Sequence, residues 1–173
     1  VAEAGFENWI DRVVALTGLF AALVALLLSV GQAGSLHPVW LLAVAGTLLA
    51  AGVGLPVHAW SHRPLRVPAT VYADVVALGL WTWPPAWTGT AIAGVDQPPW
   101  LWPCIGVATV VVWVAWGTVP AVGLNLVCLA ALLTARLGRV GGPIGPATAL
   151  QDMLAVTVLP LLVVVLFSFA RRQ

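Results

Sequence analysis

The run LWPCIGVATVVVWVAWGTVPAVGLNLVCLAALLTA, residues 101 to 135, decides how this chain folds. It is almost wholly apolar and close to twice the length of one membrane crossing, which needs roughly 20 residues at about 1.5 Å rise each. It must therefore fold back on itself. The break Gly117-Thr118-Val119-Pro120 lies near its middle and predicts two antiparallel helices joined by a tight turn.

The same logic extends along the chain. Composition is 61% hydrophobic and 8% charged, with a mean hydropathy of +1.03. Soluble domains carry roughly 25% charged residues, so these values mark an integral membrane protein. Spans are expected at about 13–30, 39–57, 70–83, 101–116, 120–135 and 150–170. The expected fold is all-α: a polytopic, six-helix transmembrane bundle forming one domain over residues 1–173. Pro84-Pro85 is expected to stop the third helix, because proline lacks an amide hydrogen and restricts the residue before it. Before the first span, Phe6, Trp9, Ile10 and Val13 follow helical spacing opposite Glu3, Glu7 and Asp11, which predicts an amphipathic lead-in.

Five of the ten tryptophans fall between Trp81 and Trp102, around PPAWTGTAIAGVDQPP. Prolines, glycines and Asp96 exclude a lipid-exposed crossing there, since unsatisfied backbone in hydrocarbon costs several kcal/mol, roughly, per group. A loop anchored by tryptophans at the headgroup level remains, and Trp87, Asp96 and Trp100 form a candidate sensing surface on it. Arginine placement favours both chain ends in the cytoplasm, which leaves Arg136 and Arg139 outside.

Few residues offer chemistry. Asp74 and Asn125 are candidate intramembrane polar groups; an acid within a span is a functional-site candidate, although Asp74 could instead reach Arg63, Arg66 or interfacial water. Asn125 reads as an interhelical hydrogen bond. Asp152 is expected to open the last helix, where a carboxylate complements the free amides, and to pair with Arg136 or Arg139. Pro160 predicts a kink in that helix. Gly46, Ala50 and Gly54 form a small-residue stripe on the second helix, and Gly18 with Ala22 repeats the spacing on the first. This stripe is expected to pack against a neighbouring helix or to form a dimer face.

His58 and His62 stand i, i+4 but lack a third ligand nearby, so no metal site and no cofactor is expected. Cys104 and Cys128 sit in apolar segments as small hydrophobes. No catalytic motif is present within these residues, and no basic patch suggests nucleic acid.

Several short-looped helices, a Trp/Pro-rich loop and an exit helix ending in Arg171-Arg172 together resemble the N-terminal membrane sensor region of bacterial sensor histidine kinases. The chain begins at Val1 and stops at ARRQ, so a longer protein continuing into a cytoplasmic domain is expected. The resemblance implies a bacterial cytoplasmic membrane, signal transduction in a two-component system, a homodimer, and Asp152 and Pro160 as transmission elements. It names no ligand beyond the surrounding lipid bilayer. A transporter or channel subunit and a small membrane scaffold are the competing classes.

Overall fold

A computed structural model describes residues 2–89, 98–138 and 145–170 of the protein. Six helices run through it: α1 (Ala2–Gln32), α2 (Pro38–Trp60), α3 (Arg66–Ala86), α4 (Cys104–Trp116), α5 (Thr118–Leu137) and α6 (Pro146–Ala170), with a short 3-10 turn, Ala33–Ser35, after α1. The described residues form a helical bundle with no strand among them. By length and composition α1, α2, α5 and α6 can each cross a membrane, which makes this a multi-pass membrane protein.

The helices stand in two rows. α1, α4 and α6 form one, α2, α3 and α5 the other, with α4 touching α1, α3, α5 and α6. The end of the bundle that carries the N-terminus is called proximal below, and the opposite end distal. α3 has the length of a span, 21 residues, but a lower hydropathy than the other long helices. Its position explains this: packed against α2, α4 and α5, it buries Tyr72, Val76, Leu80 and Trp83 in protein rather than lipid. Tyr72 donates from its hydroxyl to the Gly18 carbonyl at 3.1 Å, a buried bond that ties α3 to α1.

The 101–135 run divides at Gly117, which alone separates α4 from α5. Its φ of 94° and ψ of −173° lie where a side chain would be strained, so glycine is needed at this turn. Pro120 sits in the first turn of α5, where its missing amide hydrogen costs no helical bond.

Several expectations about helix ends are corrected. α1 is one continuous helix of 31 residues, with no separate lead-in. Within its first turns Ile10 is buried, whereas Trp9 and Val13 are exposed. α3 continues through Pro84 and Pro85 to Ala86, because prolines in a final turn remove bonds only to carbonyls already near the helix end. α2 runs through Pro56 to Trp60, so His58 is helical, while His62 lies beyond the end with φ 52°. The two imidazoles therefore do not share a helix face, and His58 Nδ1 bonds the Gly54 carbonyl at 2.9 Å.

The tightest helix contact joins α1 and α2, but not through the stripe expected from sequence. Gly52 is buried, and a Cβ there would stand 2.9 Å from the Ala22 Cβ. Gly18 is filled by the Leu55 side chain. Gly46 and Ala50 are exposed, and nothing lies within 4 Å of a Cβ on Gly46; Gly54 borders Pro68 of α3. Small residues on α1 pack as expected, whereas α2 turns Leu48, Ala51, Gly52, Leu55 and Ala59 inward.

The proximal end is fixed by cation–π contacts. The Arg12 guanidinium lies 5.5 Å from the Trp60 ring centroid, and that of Arg66 lies 5.0 Å from Trp116. Trp116 also donates to the Thr70 hydroxyl at 3.2 Å.

The distal end is knitted by backbone and amide bonds. His37 donates its amide to the Ala86 carbonyl, and the Thr88 and Gly89 amides donate to Ser35. Gln32 donates through Nε2 to the Pro98 carbonyl at 2.6 Å and accepts from Trp83 Nε1 at 3.2 Å. α4 is only 13 residues long, and the segment before it drops into the bundle: Leu101, fully buried, packs against Gly79 of α3. Gly79 stands seven residues before the end of α3, a depth of about 10 Å. Irregular backbone survives at that depth because protein surrounds it.

Candidate functional site: the proline bend of α6

Pro160 is buried inside α6 and lacks the amide hydrogen that would reach the carbonyl of Val156 four residues earlier. That carbonyl is satisfied from another helix. Asn125 of α5, itself fully buried, donates from Nδ2 to the Val156 carbonyl at 3.1 Å and to the Thr109 hydroxyl of α4 at 3.1 Å. Thr109 in turn donates to the Ile105 carbonyl at 2.9 Å. The amide orientation is dictated by its neighbours: a carbonyl and a hydroxyl whose hydrogen is already used both require a donor, which only the NH2 group supplies.

One carboxamide thus joins α4, α5 and α6 at the point where α6 loses its own bond. Packing supports the arrangement. Gly106 of α4 faces Pro160, and a Cβ there would come within 2.9 Å of the proline Cγ. On the other side of the same contact, an apolar groove of about 430 Å³ opens between α1 and α6 over α4, with Val14, Thr17, Gly106, Val107 and Pro160 among its walls. Two polar atoms at this level, Asn125 Oδ1 and Thr157 Oγ1, are buried without a hydrogen-bond partner among the described residues.

α6 has two further polar fastenings. Toward its distal end, Arg136 of α5 donates through an Nη to Asp152 at 2.7 Å, with 4% of the arginine side chain and 23% of the aspartate exposed. Toward its proximal end, Trp113 donates through Nε1 to the Ser168 hydroxyl at 3.1 Å, and Thr118 lies 3.4 Å from the same hydroxyl. Asp152 is six residues past the start of α6 at Pro146, so it sits in the second turn and does not cap the helix. Its place is set by Arg136, not by the free amides.

The remaining sequence candidates are dispersed. Asp74 is exposed on α3, lining a groove against α2; Arg66, one expected partner, is instead held over Trp116. Asp74 and Asn125 therefore face different neighbours and do not converge on a shared polar path. Asp96 and Arg139 lie outside the described residues. Trp87 is half-buried, pairing with Leu36 and lying 5.1 Å from the Trp83 ring. Trp100 is 1% exposed and edge-on to Trp40 at 6.4 Å. These two tryptophans are packing elements of the distal end, which corrects their expected role as an open sensing surface. Among the described residues no group of three or more His, Cys, Asp or Glu side chains comes together as a metal site. Cys104 and Cys128 are both buried free thiols.

Sequence reasoning missed Thr109, Val156 and Gln32. Val156 could be found from one signal: a proline within a span leaves the carbonyl four residues earlier in need of a donor, and Asn125 is the amide available mid-helix. Comparison of the chain with protein-family models, curated proteins and solved structures finds no match.

Proposed function

We propose that this chain is a membrane-embedded sensor and signal-transduction domain of a bacterial cytoplasmic membrane, with both ends cytoplasmic, acting as a homodimer. In this reading α6 carries a stimulus to a cytoplasmic output domain. The observation that carries it is the Asn125 bond to the Val156 carbonyl at Pro160. Any span that contains a proline needs such a donor, but here it is a side chain on another helix, a bond that can be released when the bend of α6 changes.

Three features support α6 as the moving part. It ends one row, and its main packing is on α4 and α5. Its span is the least buried of the four long apolar helices, at 17%. Finally, Asn125 Oδ1 on α5 and Thr157 Oγ1 on α6 are both buried and unpaired among the described residues, so the present arrangement leaves polar groups that a second position of α6 would be free to satisfy. Asp152 and Pro160 are then the transmission elements, one an anchor and the other the bend. The resemblance to sensor histidine kinases supports the kind of output.

The test uses the full-length protein, with autophosphorylation as the readout. Replacing Pro160→Ala or Asn125→Leu is expected to shift basal activity by several-fold while the protein remains folded. Unchanged basal and stimulated activity in both variants would sink the proposal.

A further inference from the structure

We infer that the α2–α3 face around Asp74 is a docking surface for a transmembrane helix of a second protein that carries a lysine or arginine at mid-membrane depth. The inference is independent of the signalling role of α6, which lies on the far side of the bundle.

Asp74 is eight residues into α3, about 12 Å along the axis from Arg66. It is exposed, as are Val67, Val71 and Leu78 on the same strip of the helix. Acids within a membrane normally face the bundle interior and pair there, because an ionised group against hydrocarbon is unfavourable. Asp74 does neither: among the described residues it has no hydrogen-bond or ion-pair partner. Its side chain instead lines an open groove of about 320 Å³ between α2 and α3, together with Ala43, Thr47, Leu78 and Thr82.

The neighbouring face of α2 admits close approach. Ala43, Gly46, Thr47 and Ala50 are all exposed there, and no atom lies within 4 Å of a Cβ placed on Gly46. Small residues on a membrane-facing strip let a second backbone come near. Thr47 gives its hydroxyl hydrogen to the Ala43 carbonyl, leaving its oxygen as an acceptor in the groove that Asp74 also lines. An ammonium group, with three hydrogens to place, fits a groove lined by a carboxylate and a hydroxyl oxygen.

Charge decides against a second copy of this chain as the occupant. Arg12 and Arg66 are held over tryptophans at the proximal end, and Arg136 is buried against Asp152 at the distal end. No described basic side chain stands at the depth of Asp74 on an open face, so two copies would oppose carboxylates.

The experiment reconstitutes the full chain in phosphatidylcholine vesicles with a dansyl-labelled Leu/Ala transmembrane peptide of 23 residues or so, carrying Lys, Leu or Glu at its centre. Energy transfer from the protein's tryptophans reports association. The Lys peptide is expected to bind at least about tenfold more tightly than the Leu peptide, and the Glu peptide no better than Leu. Asp74→Asn should abolish that preference with helix content and melting unchanged, since the side chain is exposed. Ala50→Leu keeps the carboxylate but fills the approach surface, and should also weaken the Lys peptide by about tenfold. Equal binding of the Lys peptide to wild type and D74N, or to wild type and A50L, would overturn the inference. So would self-association of the protein without peptide that is lost in D74N, which would make the occupant a second copy.

Discussion

The carboxamide of Asn125 occupies the place of a backbone amide: it donates to the Val156 carbonyl, the acceptor that Pro160 strands within α6. The pairing makes a prediction that ordinary packing does not. Asn125→Leu should destabilise the protein by about 1–2 kcal/mol, the cost of a buried carbonyl left unpaired. In a Pro160→Ala background Val156 regains its helical partner, so the same substitution should cost about 0.5–1 kcal/mol less. Unfolding titrations in mixed detergent micelles on the four proteins of the cycle would measure this. Equal costs in both backgrounds would refute the substitute-amide role.

Glycines on one face of α2 should be sensitive and those on the other indifferent. Gly52→Leu must push apart α1 and α2, where a Cβ alone already meets Ala22 at 2.9 Å, and is expected to cost about 1–3 kcal/mol. Gly46→Ala meets open space, and should leave thermal stability in detergent unchanged or slightly raised through helix propensity. The reverse ranking would mean that α2 presents its other face to α1.

Gln32 holds the distal segment by two bonds, to Pro98 and Trp83. Gln32→Leu leaves a carbonyl and an indole N–H unpaired, at about 1–3 kcal/mol each. The loss should be local: hydrogen exchange is expected to rise around residues 98–103 and near Trp83, while α5 and α6 keep their protection. Uniformly raised exchange across the bundle would contradict this.

Removing the carboxylate that faces Arg136 should reach further. Arg136 is nearly fully buried and Asp152 only partly so, so Asp152→Ala should cost about 1–3 kcal/mol, below the value for a fully buried pair. The bond is shielded from solvent, and its contribution should change little between low and high salt. A strong salt dependence in the wild type that disappears in D152A would place the pair in water.

How much of this was legible beforehand depended on whether a residue has one physical option or several. Gly117 has one: a left-handed backbone between two apolar runs, and the helix split followed from it. Asn125 was equally constrained, since an amide in a span must find a partner on another helix. α2 had many options, because it is small and apolar all round, and nothing in Gly46, Ala50 and Gly54 told which side α1 would choose. Pro84 and Pro85 misled because a proline's cost depends on its distance from the helix end. For Asp152 the pairing with Arg136 follows from the sequence, but its place at the helix start does not: α6 begins at Pro146, and the Gly/Pro-rich approach offers several starts. Tryptophan favours interfaces, which places Trp87 and Trp100 at the surface from sequence alone, yet rings this large also make good fillers when a loop turns inward.

The brevity of α4 has a consequence for how the protein is made. At 13 residues it spans about 20 Å, short of the roughly 30 Å of hydrocarbon, and as a lone segment it would leave its ends stranded in lipid. It relies on its neighbours, and α5, joined to it through the single residue Gly117, is the one that follows it in the chain. Insertion is therefore expected to proceed by a helical hairpin, with α4 waiting at the membrane until α5 has emerged from the ribosome; glycosylation mapping of nascent chains truncated before and after Leu137 would time that step.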